Sequence, residues 1–327
     1  MYDTAYQEQD ITGKAILVTG GAGFIGSNIV EYLLKYGAKV RVLDNFLTGF
    51  RENIEPFLLN PSFELIEGDI SIVDDCLRAC NGIDIVCHQA AMGSVPRSVQ
   101  EPHLSTLNNI TGFVNMVHAA HLKGIKRFIY ASSSSVYGDE PNLPKKEERI
   151  GKPLSPYAIT KLSNELFAEN FGKLYGMEFI GFRYFNVFGP KQSPKGAYAA
   201  VIPLFIDACL HNKEVYINGD GQQTRDFTFI ENVVQINVKA MFTDRQEALN
   251  QVYNVGCGGR YTLLELFEGI RSAIGIDKKP ILRQAREGDI RDSQADISKA
   301  ERLLGYTAIF DFFKGLQLTV DYFKSES

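Results

Sequence analysis

Residues 14–44 read KAILVTGGAGFIGSNIVEYLLKYGAKVRVLD, and this stretch decides the fold. It begins with a short apolar run at 15–18, of the kind that forms a buried parallel strand. Glycines at 20, 21, 23 and 26 follow, and apolar residues then recur at three- and four-residue steps, which predicts a helix. A second strand is predicted to end at Asp44. The stretch therefore predicts a strand, a glycine-rich loop, a helix and a second strand in succession.

This unit has the features of a dinucleotide site. The glycines permit a tight turn and let the backbone approach a pyrophosphate held at the N-terminus of the helix. Asp44 follows Gly26 by 18 residues, close to where an acid binds the ribose 2′-hydroxyl. A carboxylate there would repel a 2′-phosphate, so the sequence favours NAD over NADP as the cofactor. The predicted NAD contacts in this stretch are Gly20, Gly23, Phe24, Ile25, Gly26, Asp44 and Asn45.

Further strands are predicted at 63–66, 83–87, 125–130 and 177–183, with helices between them, including a long one at 104–121. This alternation predicts an α/β fold with a doubly wound, mostly parallel (Rossmann) sheet. Ligands bind such sheets at the carboxyl ends of the strands. Residues that come directly after strands three and four are therefore predicted cofactor contacts: Asp69, Ile70, Gln89, Ala90 and Ala91.

Two residues at this edge allow more than one interpretation. Asp69 could accept a hydrogen bond from the adenine amino group, or it could cap the helix predicted to begin near residue 73. His88 is interpreted as a buried histidine whose hydrogen bonds are satisfied within the protein. No histidine in the chain is accompanied by plausible third and fourth ligands, so no metal site is predicted.

The length of 327 residues suggests two domains, with one large α/β unit as the alternative. Proline and glycine become frequent after residue 185, whereas 251–255 still reads as a core strand. We therefore predict an NAD-binding domain at 1–187 plus about 226–257. A smaller, discontinuous α/β substrate domain is predicted at 188–225 plus 258–327. Residues 1–13 are predicted to be an extension on the surface, with a short helix as one option.

Composition excludes several classes of partner. The net charge of −5 leaves no basic stripe for a nucleic acid. No apolar run approaches the length of a membrane span, and the first ten residues are too polar and acidic for a signal peptide. Five cysteines without a Cys-x-x-Cys pair suggest thiols in a reducing compartment. We therefore expect a cytoplasmic protein with neither a membrane nor a nucleic-acid partner.

The catalytic chemistry is predicted on the helix that Ser155 and Pro156 open, as N-cap and first helical residue. Tyr157 and Lys161 are four residues apart and so share one helix face. A nearby cation lowers the pKa of a phenol, ordinarily about 10, toward values useful in proton transfer. The serine run at 132–135 could place a hydroxyl on the same reacting oxygen. Such a set can move a proton on a carbinol while a hydride passes to NAD.

Four motifs together resemble the extended short-chain dehydrogenases/reductases that act on nucleotide sugars, over nearly the whole chain. They are the glycine loop at 20–26, the serine run with Val136-Tyr137-Gly138, the Tyr157-x-x-x-Lys161 pair and the run at 183–186. The resemblance implies Ser133, Tyr157 and Lys161 as catalytic residues, with Ser132 and Ser134 in support. It also places Asn109, Tyr157, Lys161 and Tyr184 near the cofactor. For a UDP-sugar substrate it implies contacts from Gly93, Ser94, Ser133, Ser134, Tyr157, Asn186, Arg225, Arg286, Asp289 and Ser293.

The two residues after the catalytic serine narrow the choice of reaction. Dehydratases of this family usually carry Asp-Glu there and decarboxylases a glutamate, whereas this chain has Ser134 and Ser135. The resemblance therefore implies epimerisation at C4 through a 4-keto sugar. Ser293 resembles the gatekeeper position that is a tyrosine in enzymes restricted to unacetylated sugars, and residues 93–98 resemble the N-acetyl-preferring subgroup. UDP-GlcNAc/UDP-GalNAc is the predicted substrate pair.

Several alternatives stay open. The substrate could be UDP-N-acetylglucosaminuronate or UDP-glucose, and Ser293 could merely cap a turn. The protein could also be a non-catalytic NAD-binding sensor on the same fold. Related enzymes pair the helices at 104–121 and 155–175 across a two-fold axis, which implies a homodimer. Leu162, Leu166, Phe167 and Phe171 would supply the apolar stripe, unless that stripe is internal packing.

Overall fold

The computed structural model describes residues 1–195, 199–284 and 291–326. Its strands are β1 (Ala15–Thr19), β2 (Lys39–Asp44), β3 (Phe63–Glu67), β4 (Ile85–His88), β5 (Arg127–Ser133), β6 (Glu178–Tyr184), β7 (Val187–Phe188), β8 (Tyr216–Asn218), β9 (Thr224–Arg225), β10 (Thr228–Phe229), β11 (Gln251–Val255), β12 (Tyr261–Thr262) and β13 (Ile281–Arg283). Its α-helices are α1 (Phe24–Lys35), α2 (Val73–Ala79), α3 (Val95–Gln100), α4 (Pro102–Thr106), α5 (Gly112–Leu122), α6 (Pro156–Tyr175), α7 (Val201–Leu210), α8 (Ile230–Phe242), α9 (Leu263–Ile274), α10 (Ser298–Leu304) and α11 (Phe312–Ser325).

Within these residues, seven strands form one parallel sheet in the order β11-β6-β5-β4-β1-β2-β3. Two apolar clusters cover its two faces, one with α1 and α8 and the other with α2 and α5. The predicted doubly wound Rossmann sheet is therefore confirmed. The strand order reverses between β1 and β4, which is where such sheets bind their ligands.

The central strands are apolar because both of their faces are buried. In β1, Ile16, Leu17 and Val18 have no exposed surface. The predicted return of the chain to the sheet is confirmed, since β11 pairs with β6 along its whole length. The division into two domains stays a proposal. The helices α7, α9 and α11 and the two-stranded sheets β10-β7, β12-β9 and β13-β8 are separate from the central sheet.

Two elements differ from their predicted extents in ways that shape the site. Strand β5 continues past residue 130 because its small serines keep pairing with β6, where Ser132 lies opposite Arg183 and Ser133 opposite Tyr184. The helix predicted at 104–121 is divided into α4 and α5 by a π-helical turn, Leu107–Thr111. Asn109 lies in that turn and binds outside the helix, to Met92. Such turns often occur at functional sites.

The N-terminal residues differ most from expectation. They form an irregular arm rather than a helix, and Tyr2 has no exposed surface while Tyr6 is 9% exposed. Their rings pack against Tyr32 of α1, with centroid separations of 5.8 and 5.0 Å. The prediction of a surface extension was wrong because two tyrosines in a polar stretch provide aromatic area that is worth burying. Among the described residues, no helix is long and apolar enough to cross a bilayer.

Candidate active site

A cavity of about 580 Å³ opens at the carboxyl edge of the sheet, beside the β1–β4 reversal. Many of the residues predicted for cofactor and substrate line it: Gly20, Gly23, Phe24, Ile25, Gly26, Asp44, Asn45, Ile70, Gln89, Ala90, Ala91, Gly93, Ser94, Tyr157, Lys161 and Tyr184. A larger groove of about 840 Å³ runs along α6 and β6, but it is lined by none of the predicted site residues that the structure describes. The cavity at the sheet edge is therefore the candidate site.

The glycine loop fits a pyrophosphate. A Cβ on Gly26 would stand 2.1 Å from the carbonyl oxygen of Gly20, and a Cβ on Gly20 would stand 2.7 Å from Ala90. Only hydrogen fits at either position, so α1 can begin directly against the loop. The N-cap of α1 is Gly23, which has no side chain to bind the N–H groups of the first turn. Those groups line the cavity and are available to an anion.

Asp44, the predicted ribose contact, lines the cavity. It is the last residue of β2, and its carboxylate accepts hydrogen bonds from the backbone N–H groups of Ala22 and Phe46, both at 2.8 Å. Burial raises the pKa of this carboxyl, while the two hydrogen bonds lower it. An anchored carboxylate on the cavity wall fits the diol of NAD and would repel a 2′-phosphate.

Asp69 follows β3 but does not line the cavity. Its carboxylate accepts from the side-chain amide of Asn45 at 2.8 Å and from the N–H of Ser71 at 2.7 Å. The N-cap of α2 is Ile72, which has no side-chain cap, so the capping interpretation of Asp69 was wrong. The adenine contact stays a prediction.

Ser133 and Tyr157 meet beside the cavity, which Tyr157 lines. Ser133 is the last residue of β5, and Tyr157 lies in the first turn of α6, where Ser155 caps the helix through the N–H of Ala158 at 3.1 Å. The capping prediction for Ser155 is thus confirmed. A hydrogen bond with Ser133 lowers the pKa of Tyr157, although burial raises it by more.

Lys161 shares a helix face with Tyr157, as predicted, but is not among the groups that lower the pKa of the phenol. Its ammonium group donates to the carbonyl oxygen of Ala131 at 2.8 Å and lies 5.9 Å from the centroid of the Tyr157 ring. Contrary to the prediction, burial leaves the pKa of Tyr157 above its ordinary value, and Ser133 supplies the lowering contact. Burial also lowers the pKa of Lys161 to about 8.

Comparison with known proteins identifies the family. Residues 16–256 match the NAD dependent epimerase/dehydratase family. The chain belongs to this family. A putative UDP-glucose 4-epimerase of Methanocaldococcus jannaschii is 37% identical over 314 residues, which cover 95% of this chain and 99% of that protein.

Two solved structures are similar over nearly their whole length. The UDP-N-acetylglucosamine 4-epimerase of Methanobrevibacter ruminantium M1, in complex with UDP-N-acetylmuramic acid, is 38% identical with a TM-score of 0.90, over 97% of this chain and 100% of that one. The UDP-glucuronic acid 4-epimerase of Bacillus cereus, in complex with UDP-glucuronic acid and NAD, is 32% identical with a TM-score of 0.89, over 96% and 100%. The expected NAD dependence agrees with the family.

In this NAD-dependent epimerase family member, sequence reasoning missed a buried charge that supports α6, the helix that carries Tyr157 and Lys161. Glu165, 8% exposed, accepts from the hydroxyl of Ser132 at 2.5 Å and from two guanidinium nitrogens of Arg183 at 2.7 and 3.0 Å. Its position one helical turn beyond Lys161 was the available signal. Ser98 was also missed. Its hydroxyl accepts from the N–H of Tyr157 at 3.0 Å.

The remaining cofactor predictions fall into two groups. Gln89 and Tyr184 share a hydrogen-bond network with Asn237, a residue that sequence reasoning missed. Asn109 is 1% exposed, and its side chain bonds to the backbone of Met92 and the hydroxyl of Thr160. It does not line the cavity, so the structure uses it to hold α6, and its contact with the cofactor stays a prediction.

Other residues near the cavity have protein partners. Ser94, at φ 93°, caps α3 by accepting from the N–H of Arg97. His88 is 2% exposed and bonds to the hydroxyl of Thr19 at 2.9 Å, and burial lowers its pKa to about 3. The interpretation of His88 as a satisfied buried histidine is confirmed. Among the described ranges, no three His, Cys, Asp or Glu side chains form a metal-binding group.

Other predicted substrate residues lie outside the lining of this cavity. Asn186 donates to the carbonyl oxygen of Asp226 at 3.1 Å. The backbone N–H of Ser293 bonds to Thr224, the residue before Arg225, so two predicted sugar-nucleotide contacts are held side by side. The cavity of about 580 Å³ is lined by none of these residues, nor by Ser133 or Ser134, in the described part of the chain. Arg286 and Asp289 lie outside the described residues.

Proposed function

We propose that this NAD-dependent UDP-sugar 4-epimerase acts preferentially on UDP-GlcNAc and UDP-GalNAc. The observation that supports catalysis at this site is the contact between Ser133 and Tyr157, which lowers the pKa of the phenol at the cavity that the glycine loop lines. A sensor that only bound the dinucleotide would not need a buried phenol beside a serine hydroxyl. NAD, when bound, would accept the hydride from C4 and return it.

The roles of the chain's own residues are inferred from their contacts. Tyr157 would take the proton of the C4 hydroxyl as the C4–H bond breaks, leaving a 4-keto sugar. Ser133 would donate to the same oxygen and so hold it beside the phenol. Lys161 would supply positive charge beside them. Because its pKa is about 8, the side chain is protonated in most protein molecules at pH 7. The keto sugar turns over, the hydride returns to its other face, and Tyr157 gives the proton back.

The choice of an acetylated sugar rests on residue size. Ser293 is small and is fixed beside Arg225 through Thr224, so it would leave room for a 2-acetamido group. Residues 93–98, which resemble the N-acetyl-preferring subgroup, provide both Ser94 on the cavity wall and Ser98 against Tyr157. The three relatives described above are named for three different UDP-sugars. The substrate of this chain is therefore inferred from its own residues.

The test is to incubate the purified protein separately with UDP-GlcNAc, UDP-glucose and UDP-N-acetylglucosaminuronate and to separate the C4 epimers. We expect the highest kcat/KM with UDP-GlcNAc. A preference for either other sugar would reject the substrate assignment, and no epimer from any of them would favour the sensor alternative.

A second test asks whether residue 293 sets the size of the pocket. Ser293→Tyr should lower kcat/KM for UDP-GlcNAc by about 100-fold while UDP-glucose is affected far less, because a filled pocket excludes only the larger sugar. Ser293→Ala is the matched control and should leave both sugars unchanged. Equal losses for both sugars in the tyrosine variant would show that the residue does not read the acetamido group.

We further propose a cytoplasmic homodimer. All five cysteines are unpaired thiols, which suits a reducing compartment. On α6, Ile159 and Leu166 are 53% and 60% exposed and lie seven residues apart on one face. Phe167 and Phe171 instead pack against the apolar cluster that contains α2 and α5. Two of the four residues of the predicted stripe are therefore internal.

A further inference from the structure

The N-terminal arm reaches the cofactor site through one buried asparagine. Tyr2 has no exposed surface, and its hydroxyl donates to the side-chain oxygen of Asn28 at 2.6 Å. The amide nitrogen of Asn28 donates in turn to the carbonyl oxygens of Phe24 at 2.9 Å and Pro190 at 3.2 Å. Phe24 is the first residue of α1 and lines the cavity. The arm is therefore connected to the start of the glycine-loop helix.

Pro190 belongs to the segment 189–195, which forms another wall of the cavity. Lys191, Gln192, Ser193 and Lys195 of this segment line the cavity opposite the glycine loop. Lys191 has φ 70°, a left-handed conformation that a lysine adopts only when its surroundings hold it there. Two contacts with α1 do so, the bond from Asn28 to Pro190 and an ion pair of 2.6 Å between Lys191 and Glu31.

We propose that Tyr2 is a positioning residue for cofactor retention, which acts through Asn28 to hold the 189–195 segment and the first turn of α1 on either side of the dinucleotide. Asn28 is 1% exposed and uses its oxygen and its nitrogen in these contacts. Its orientation thus depends on the Tyr2 hydroxyl, because without that donor the buried oxygen has no partner in this network. This inference needs the NAD site only and is independent of which sugar is bound.

The arm offers a matched control, because a second tyrosine is anchored elsewhere. The hydroxyl of Tyr6 donates to Glu231 of α8 at 2.6 Å, and Glu231 also accepts from the backbone N–H of Tyr2. Tyr6→Phe therefore removes the same chemical group from the same arm without touching Asn28. A merely structural role for the arm would make the two variants alike.

The experiment measures the release of NAD from the purified holoenzyme after dilution, well below the unfolding temperature of every variant. We expect Tyr2→Phe to release NAD about tenfold faster than the parent, as loss of one buried hydrogen bond of about 1.4 kcal/mol would give. Tyr6→Phe should stay within about twofold of the parent while losing similar thermal stability. Glu31→Gln, which removes the ion pair between α1 and Lys191 of the 189–195 segment, should also release NAD faster.

Each outcome decides the proposal. Unchanged release from Tyr2→Phe overturns it, and so does equal acceleration in Tyr2→Phe and Tyr6→Phe, which would assign the effect to the folding of the arm. If Tyr2→Phe does not fold, Asn28→Asp carries the test, because it keeps the oxygen that accepts from Tyr2 and removes the amide nitrogen that binds Phe24 and Pro190: faster release supports the proposal, and parental release overturns it.

Discussion

Ser132 donates its hydroxyl to Glu165 at 2.5 Å, and this bond joins the end of the strand that carries Ser133 to the helix that carries Tyr157 and Lys161. The carboxylate of Glu165 forms an ion pair with Arg183 of the neighbouring strand. The side chain of Glu165 is 7% exposed and that of Arg183 is 5% exposed. The strands β5 and β6 and the helix α6 therefore meet at one buried charge. Their relative positions depend on it.

Replacing this charge should affect stability and pH dependence together. Glu165→Gln leaves Arg183 buried without its counter-ion and should cost about 3 kcal/mol of unfolding free energy. Glu165 also raises the pKa of Lys161, against the larger effect of burial. Without it, Lys161 loses its proton at lower pH, so the alkaline limb of kcat should move to lower pH. Chemical unfolding and a kcat–pH profile measure the two effects.

The control is Glu169→Gln, on the exposed side of the same helix. Glu169 pairs with Lys173 at 2.7 Å, with side chains 62% and 73% exposed. A surface pair of this kind contributes less than about 1 kcal/mol. An alkaline limb that stays in place in Glu165→Gln would show that the carboxylate does not set the charge of Lys161.

We expect the buried ammonium group of Lys161 to serve function while it lowers the stability of the folded protein. Its pKa in the folded protein is about 8, below the ordinary 10.5, because it is buried. The charged form is therefore penalised below pH 8, and the penalty is relieved as the pH rises from 8 to 10.5. Parental stability should rise through that window, apart from other groups that titrate there.

Lys161→Met removes the penalty and the bond to Ala131 together. The net result should be a gain of about 2 kcal/mol in unfolding free energy at pH 7, with loss of turnover. Denaturant unfolding at pH 7 and pH 10 checks it, since the difference between variant and parent should shrink at the higher pH. Lys173→Met, at an exposed site on the same helix, is the control. Destabilisation of Lys161→Met at pH 7 would refute the prediction.

Tyr157→Phe should separate chemistry from binding. Loss of the hydroxyl removes the group that moves the C4 proton, so kcat should fall by about 10²–10⁴-fold. NAD content should be unchanged, because the glycine loop and Asp44 do not depend on that hydroxyl. Epimer analysis and NAD quantification after denaturation measure both. Tyr175→Phe, at the far end of α6, should behave as the parent; a Tyr157→Phe variant with parental turnover would exclude the phenol as the proton carrier.

The fold and the glycine loop could be predicted because their signals are local. The run at 15–26 specifies a buried strand and a turn in which a Cβ at Gly26 cannot fit, and both are set by short-range chemistry. Ser155 as N-cap was equally local. In each case the residue's neighbours in sequence are also its neighbours in space.

The features that could not be predicted depend on distant contacts. Glu165 is buried because Ser132 and Arg183 come to it from two strands; its spacing from Lys161 places it on the same helix face but does not reveal these two partners. The arm was placed on the surface because its own composition is polar, yet Tyr2 and Tyr6 find an acid and an aromatic ring on other elements. The same limit explains Lys161. Helical spacing put it beside Tyr157, whereas the carbonyl of Ala131 on β5 decides where its ammonium group lies.

The proposed homodimer gives the last prediction. Exposed apolar side chains lie on α6 and on the neighbouring helical region, at Val99 (63%), Leu107 (44%), Leu122 (57%), Ile159 (53%) and Leu166 (60%). A stable dimer buries about 800 Å² per partner, so a charge at the middle of such a face should prevent association. Leu166→Lys should therefore sediment as a monomer at micromolar concentration.

Leu59→Lys is the matched control, because Leu59 is 97% exposed and lies between β2 and β3, on the opposite edge of the sheet from α6. It should sediment as the parent does. The Leu166→Lys monomer should keep its NAD, because Leu166 is not among the residues that line the cavity. A dimer that persists in Leu166→Lys, or a parent that is itself monomeric, would refute pairing through this face, whereas loss of NAD on dissociation would show that the partner stabilises the cofactor site.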